Sequence, residues 1–351
     1  MHRRELIAAL AAMPLAMGLP GPARGAPRAV AGQVMTVNGP VDAAELGLTL
    51  AHEHLYADLR PHSEQVAEPI APDAEDVLRV ALPYLRRIHQ QGCRTLVDCT
   101  ATTLGRNPGL LRRLSQASGL HIVTVTGAYL AAGGRFIPPY VHEESEEALA
   151  RRWIAEWQDG IDGTGVRPGL VKLGIEGDPL TPLERKVLLA AARTHRATGL
   201  AIAVHTGPWA EVEPGRNARC AFAQLDLLEG AGVPASAWIW VHAQGEVQHE
   251  HHVRAARRGA WVSFDGFRPG QEARYVEMLG RMRDEGLLGQ VLVSQDAGWY
   301  NAGQADGGEF NPFDPLFTAL VPALREGGFD EAQVRTLFVH NPARALAVRG
   351  G

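Results

Sequence analysis

Eight short apolar runs punctuate the chain: LTLAHEH (48–54), RTLVDCT (94–100), HIVTVTG (121–127), LVKLGI (170–175), LAIAVHT (200–206), WIWVHA (238–243), WVSFDG (261–266) and VLVSQD (291–296). Most stay apolar until their last residues, the pattern of strands covered on both faces. Amphipathic stretches of helical period lie between them, best developed over 73–91 and 181–198. The second opens Thr181-Pro182-Leu183-Glu184, with a cap, a proline in the first turn and a glutamate at the third helical position, and Gly199 closes it. Eight strand–helix alternations predict an α/β fold, a (β/α)8 TIM barrel, with its active site at the C-terminal ends of the strands. A doubly wound open sheet is the alternative, but no Gly-x-Gly-x-x-Gly follows the first strand.

The polar residues at those strand ends form a set. The first run finishes with His52 and His54, the fourth carries Lys172, the fifth reaches His205, the sixth His242 and the eighth Asp296. Residues two apart on a strand point the same way, so His52 and His54 share the inward face. Any one of these histidines alone reads as a hydrogen-bonded structural residue, and Asp296 alone as a helix cap. Lys172 stands among apolar neighbours, where an unpaired ammonium is costly; a buried salt bridge is the ordinary answer to that cost.

A metal centre accounts for all six. Neutral imidazole and carboxylate suit zinc and similar divalent ions. Four histidines and an aspartate exceed what one four-coordinate ion needs, and suit two ions with a shared ligand. A neutral lysine amine that captures carbon dioxide becomes a carbamate, an anion with two oxygens able to join two metals. Carbamate, aspartate and a bridging hydroxide then offset three of the four positive charges. The residue keeps the site electrophilic and lowers the pKa of bound water towards ~7.

With these residues in place the chain resembles the phosphotriesterase family of the amidohydrolase superfamily, from about Thr36 to Val348. The resemblance runs through TVNGPVDAAELGLTLAHEHL, VDCTATTLGRN, TGAYL, LVKLGIEG, AVHTG, WVHAQGE, LVSQDAGW and VHNPARAL, in that order. It implies that His52, His54 and Asp296 hold the more buried ion and His205 and His242 the more exposed one. Carboxylated Lys172 and a hydroxide would bridge them, and Asp296 would take the proton of the attacking hydroxide. The ions would be zinc, with iron, cobalt or manganese as alternatives. It further implies hydrolysis of lactones, carboxylic esters or organophosphate triesters, and pairing into homodimers. Tyr129, in TGAY, falls where lactonase-like members carry a tyrosine aimed at the metals. One departure stands out: where such members read LDRYG, this chain reads SFDGFRPG, so Asp265 aligns and Gly266 replaces the arginine. Two other readings share the barrel, a mononuclear deaminase-like enzyme and a non-catalytic metal-binding protein.

Composition narrows the rest. The chain has 351 residues, 46% of them hydrophobic, and a formal net charge of −5 with dispersed basic residues, which supports a packed core and gives no nucleic-acid footprint. Residues 1–26 have a basic start, an apolar run and small residues, the layout of a signal peptide; Arg3-Arg4 suggests the twin-arginine variant. The expectation is therefore an exported protein, periplasmic or secreted, with residues 27–351 forming one hydrolase domain that has no membrane partner once the signal is removed. Cys93, Cys99 and Cys220 match no zinc or disulfide spacing and read as apolar filler. The histidine-rich stretch 247–259 reads as a solvated helical face. Specificity is expected in the loops 266–271 and 297–313; the latter, with Trp299 and Tyr300, reads either as an apolar lid or as a glycine-rich surface loop.

Overall fold

A computed structural model describes residues 31–207 and 213–350; the segment 1–26 assigned to export lies outside the described residues. Eight parallel strands follow the chain: β1 (Leu48–Ala57), β2 (Cys93–Asp98), β3 (His121–Val123, continued after Thr124 by Val125–Thr126), β4 (Leu170–Ile175), β5 (Ala201–Thr206), β6 (Trp238–Val241), β7 (Trp261–Phe264) and β8 (Val291–Val293). Each pairs with its sequence neighbour, from β1–β2 through to β7–β8. The ring closes where β8 runs on past its last residue. Asp296 N donates to the His52 carbonyl at 3.0 Å and His54 N to the Ala297 carbonyl at 2.9 Å. This is the (β/α)8 barrel that the periodicity predicts.

The strands are apolar on both faces because each face has its own core. Val97, Val123, Leu170, Ala203, Ile239 and Leu292 pack together inside the barrel, with Val34 and Leu346 among those joining them. The alternate residues, such as Leu96, Val171, Leu173, Ile202, Val204 and Trp240, pack outward against the helices. Both long helices expected from the sequence form. Ala74–Gln90 is capped by Asp73 and buries Val77, Ala81, Leu85 and Ile88 along one stripe. Pro182–Thr198 carries the Thr181–Glu184 capping box and ends at Gly199 with φ 75°. Glu184 does more than cap: its Oε1 also accepts from the amides of Glu176 and Gly177, fixing the loop that leaves β4.

The histidine-rich segment departs from its expectation. The helix His249–Arg257 turns His252, Val253, Ala255 and Ala256 inward, and His252 Nε2 lies 2.8 Å from the Ala243 carbonyl. Val253, Ala255 and Ala256, which follow the histidines, set the buried face, and His252 falls on it with them. The cysteines behave as filler: all three are free and buried, and burial pushes each thiol up to about 12. Among the described residues no helix is long and apolar enough to cross a membrane.

Close approach of β3 to β4 decides one glycine. Gly127 has φ 117°, and a Cβ there would stand 2.2 Å from the Lys172 carbonyl oxygen. Gly127→Ala therefore forces the strands apart beside Lys172. The expected loss is about 2–3 kcal/mol of unfolding free energy, the range of an overpacked core position, to be read by chemical denaturation.

Candidate metal centre

All six residues expected at the site converge on one cavity at the C-terminal end of the barrel. Its open space is about 620 Å³, and His52, His54, Lys172, His205, His242 and Asp296 line it together with Tyr129. His52 and His242 have ring centroids 5.1 Å apart, His205 and His242 4.6 Å. The inward phase of β1 puts both its histidines here, as alternation requires.

Two triads of possible ligands occur, and their chemistry differs. His52, His54 and Asp296 form one; His52, His242 and Asp265 form the other. In the second, Asp265 grips both rings by Nδ1, at 3.1 Å for His52 and 2.7 Å for His242. It also accepts from the His242 amide at 3.0 Å and from Ser263 Oγ at 2.6 Å. A fully buried carboxylate with that many donors is committed, so Asp265 acts as a support that turns both Nε2 atoms towards the cavity. Burial pushes its carboxyl up, but the neighbouring His242 and His52 rings outweigh this and hold it well below the usual range. Thr100 Oγ1 plays the same part for His54, 2.8 Å from its Nδ1.

The first triad looks unfinished. Asp296 Oδ1 lies 3.0 Å from His54 Nε2 and 3.7 Å from His52 Nε2. Despite the shorter distance, this oxygen is buried without a hydrogen bond of acceptable geometry. Burial lowers the His52 pKa to about 4, and burial with the charges of His242 and Lys172 lowers that of His205 well below its ordinary value. Both rings are thus neutral at pH 7, the form that ligates metals. Burial raises the Asp296 carboxyl, yet the imidazoles of His54 and His52 win and keep it ionised. Two imidazoles, His52 and His54, facing one partnerless carboxylate oxygen fit a divalent ion.

Lys172 is 2% exposed, and its Nζ sits 3.1 Å from His52 Nε2. No carboxylate among the described residues stands within ion-pair distance of it, so the salt-bridge explanation of its burial does not apply. Tyr129 also reaches the site: its hydroxyl is 3.2 Å from His205 Nδ1, and burial raises its pKa, leaving it a neutral phenol. Gly174 makes room for it, since a Cβ there would meet the Tyr129 ring at 2.6 Å.

Two features were not among the expected site residues. Glu53, between the two histidines, faces β8: it accepts from Ser294 Oγ at 2.7 Å, Gln295 N at 3.2 Å and Ala297 N at 2.7 Å. It therefore brackets Asp296, whose φ is 52°. The H-x-H spacing drew attention to the histidines; the intervening carboxylate, on the other face of the strand, gave no signal of its own. The second feature is Gln244. It occupies the space of a side chain at 266, where a Cβ would lie 2.3 Å from its Nε2, so the missing arginine at Gly266 is a matter of packing as well as sequence. The 297–313 loop is ordered against the barrel at its start. Gly298–Asn301 pairs with β1, and Trp299 stacks on His54 with ring centroids 3.7 Å apart. Tyr300 turns away to Tyr56 and Asp76, so only one of the two aromatics covers the site.

Asp265→Asn keeps the shape but removes the charge that orients two rings. Its zinc affinity is expected to fall about 10- to 100-fold, measured by competition with a chromophoric chelator.

Comparison with known proteins agrees with this geometry. The phosphotriesterase family model matches residues 32–346. A "Phosphotriesterase homology protein" of Escherichia coli is 31% identical over 304 residues, spanning 85% of this chain and 97% of that protein. An "N-acetyltaurine hydrolase" of Salmo salar is 26% identical over 367 residues, spanning 92% and 99%. A crystal structure of a mutant PTE-like lactonase from Deinococcus radiodurans superposes with a TM-score of 0.77 at 29% identity, covering 90% of this chain and all of that one. The chain belongs to the phosphotriesterase family and is a metal-dependent hydrolase of that type.

Proposed function

We propose that the protein uses two divalent ions, zinc foremost, to hydrolyse lactones, carboxylic esters or organophosphate triesters. The observation that carries this is the buried, partnerless Asp296 Oδ1 facing His52 and His54, with His205, His242 and Lys172 lining the same cavity. His52, His54 and Asp296 would hold one ion, His205 and His242 the other. Lys172 would bridge them once its Nζ, as the free amine, bonds carbon dioxide and releases a proton, becoming an anionic carbamate with two oxygens. Bound there, the ions would polarise the scissile bond and lower the pKa of a water towards ~7.

The remaining work falls to the chain. Asp265 and Thr100 fix the imidazole tautomers. Asp296, whose side chain is 25% exposed, takes the proton of the attacking water and passes it outward. Tyr129 donates to the substrate oxygen beside His205. Trp299 and Phe136 wall the cavity and limit water. The name of the salmon relative gives amide hydrolysis as a second reading, on the same atoms. Export through residues 1–26 and pairing into homodimers belong to the proposal and rest on sequence alone.

Lys172→Ala is expected to lose activity on an activated aryl ester or lactone by about 10³-fold or more, with partial recovery in short carboxylates; full activity in this variant would overturn the bridge. In a parallel test, elemental analysis of the purified protein should return close to two ions per chain. Chelation should abolish hydrolysis across a panel of lactones, aryl esters, phosphotriesters and N-acyl amino acids. One ion per chain would favour the mononuclear reading, and metal without any hydrolysis the non-catalytic one.

A further inference from the structure

We propose that the substrate carries a carboxylate remote from the bond that is cut, and that Arg135 receives it. This rests on the hydrolase reading above. Arg135 lines the same cavity as the candidate ligands, but at its rim. From there a run of rings leads to the floor: the Arg135 guanidinium lies 4.6 Å from the Phe136 ring centroid, Phe136 6.1 Å from Tyr129, and Tyr129 5.1 Å from His205. A substrate reacting beside His205 must extend along these rings to reach the arginine.

Arg135 is placed rather than loose. Its carbonyl accepts from His62 N at 2.9 Å, and Ile137 N closes the turn on Gly134 at 3.1 Å. Its charge is nevertheless unspent. Two other arginines at this end of the barrel have acceptors: Arg60 forks onto Asp58, and Arg268 donates to the carbonyls of Phe267, Gln295 and Asp296. Glu176, an acid beside His205, accepts from Ala132 N at 3.0 Å and lies 4.0 Å from His205 Nε2. No carboxylate among the described residues pairs with Arg135. The walls between rim and floor are apolar, formed by Leu59, Leu104, Phe136 and Trp299. The cavity thus offers reactive polar groups at one end, a hydrocarbon-sized passage, and a planar donor fork at the other, which is the geometry that recognises a carboxylate.

The test compares aryl hemiesters of adipate, suberate and sebacate with aryl hexanoate, octanoate and decanoate. At one chain length at least, the hemiester should show about 10- to 100-fold higher kcat/KM through a lower KM. Arg135→Met should erase that advantage while leaving the neutral esters unchanged, and Arg135→Lys should keep part of it. Calorimetry supplies an activity-independent reading: the free dicarboxylate should bind about tenfold tighter than the monocarboxylate of equal length, and equally in Arg135→Met. No preference at any length, or a preference that survives in Arg135→Met, overturns the proposal. A binding advantage that depends on Arg135 without hydrolysis of either series would uphold it and count against the ester-hydrolase reading instead.

Discussion

One buried carboxylate organises this molecule's chemistry. Asp265 has no exposure to solvent, and it satisfies its charge by holding the imidazoles of His52 and His242 and the His242 amide, from two different strand ends. Removing that anion would leave His52 and His242 without a fixed tautomer, and the cavity without a directed pair of Nε2 atoms. The interaction is affordable because every lone pair is used; a half-paired carboxylate at this depth would cost more than the site could return. The same constraint explains why Lys172 stands out. It is as deeply buried, but the side chain beside it is another nitrogen base, His52, and no carboxylate among the described residues pairs with it.

Backbone strain gathers around the same point. His242, Asp296 and Trp299 all have positive φ, at 63°, 52° and 74°. Each such residue costs roughly 1–3 kcal/mol unless its surroundings hold it. The holders are visible. Asp265 binds the His242 amide, Glu53 binds the amides on both sides of Asp296, and Trp299 is fixed by stacking on His54 and by donating its indole N–H to the Asp296 carbonyl at 3.0 Å. Glu53 and Asp265 therefore serve one purpose from opposite faces of the barrel wall, since each converts a local backbone penalty into a fixed side-chain direction.

The mouth of the barrel follows a different logic from the floor. On the floor, charges are paired or aligned and burial sets their ionisation. At the rim, solvent screens them, and what matters is which donors remain unused. Gln244 fills the place of a side chain at 266, Arg268 is turned onto the backbone, and Arg135, on the loop after β3, lines the opening with no carboxylate partner among the described residues.

Much of this was legible in the chain itself. The alternation of apolar runs with 3.6-period stretches pointed to parallel strands covered on both faces, and eight such repeats without a dinucleotide-binding glycine pattern favoured the barrel over an open sheet. The spacing His52-x-His54 determined that two imidazoles share a face, because strand side chains alternate. A lysine in LVKLGI announced a burial problem before any coordinates were known. Tertiary structure decided the rest. Glu53 and Gln244 acquire their roles only when strands distant in sequence come into contact, and the phase of the 249–257 helix depended on which of its faces met the barrel. Likewise Trp299, not Tyr300, covers the metal centre because pairing with β1 fixes which of two adjacent side chains points inward. Sequence periodicity carries the facing of a residue within its own element; the identity of its neighbours is set by long-range packing, which no local pattern encodes.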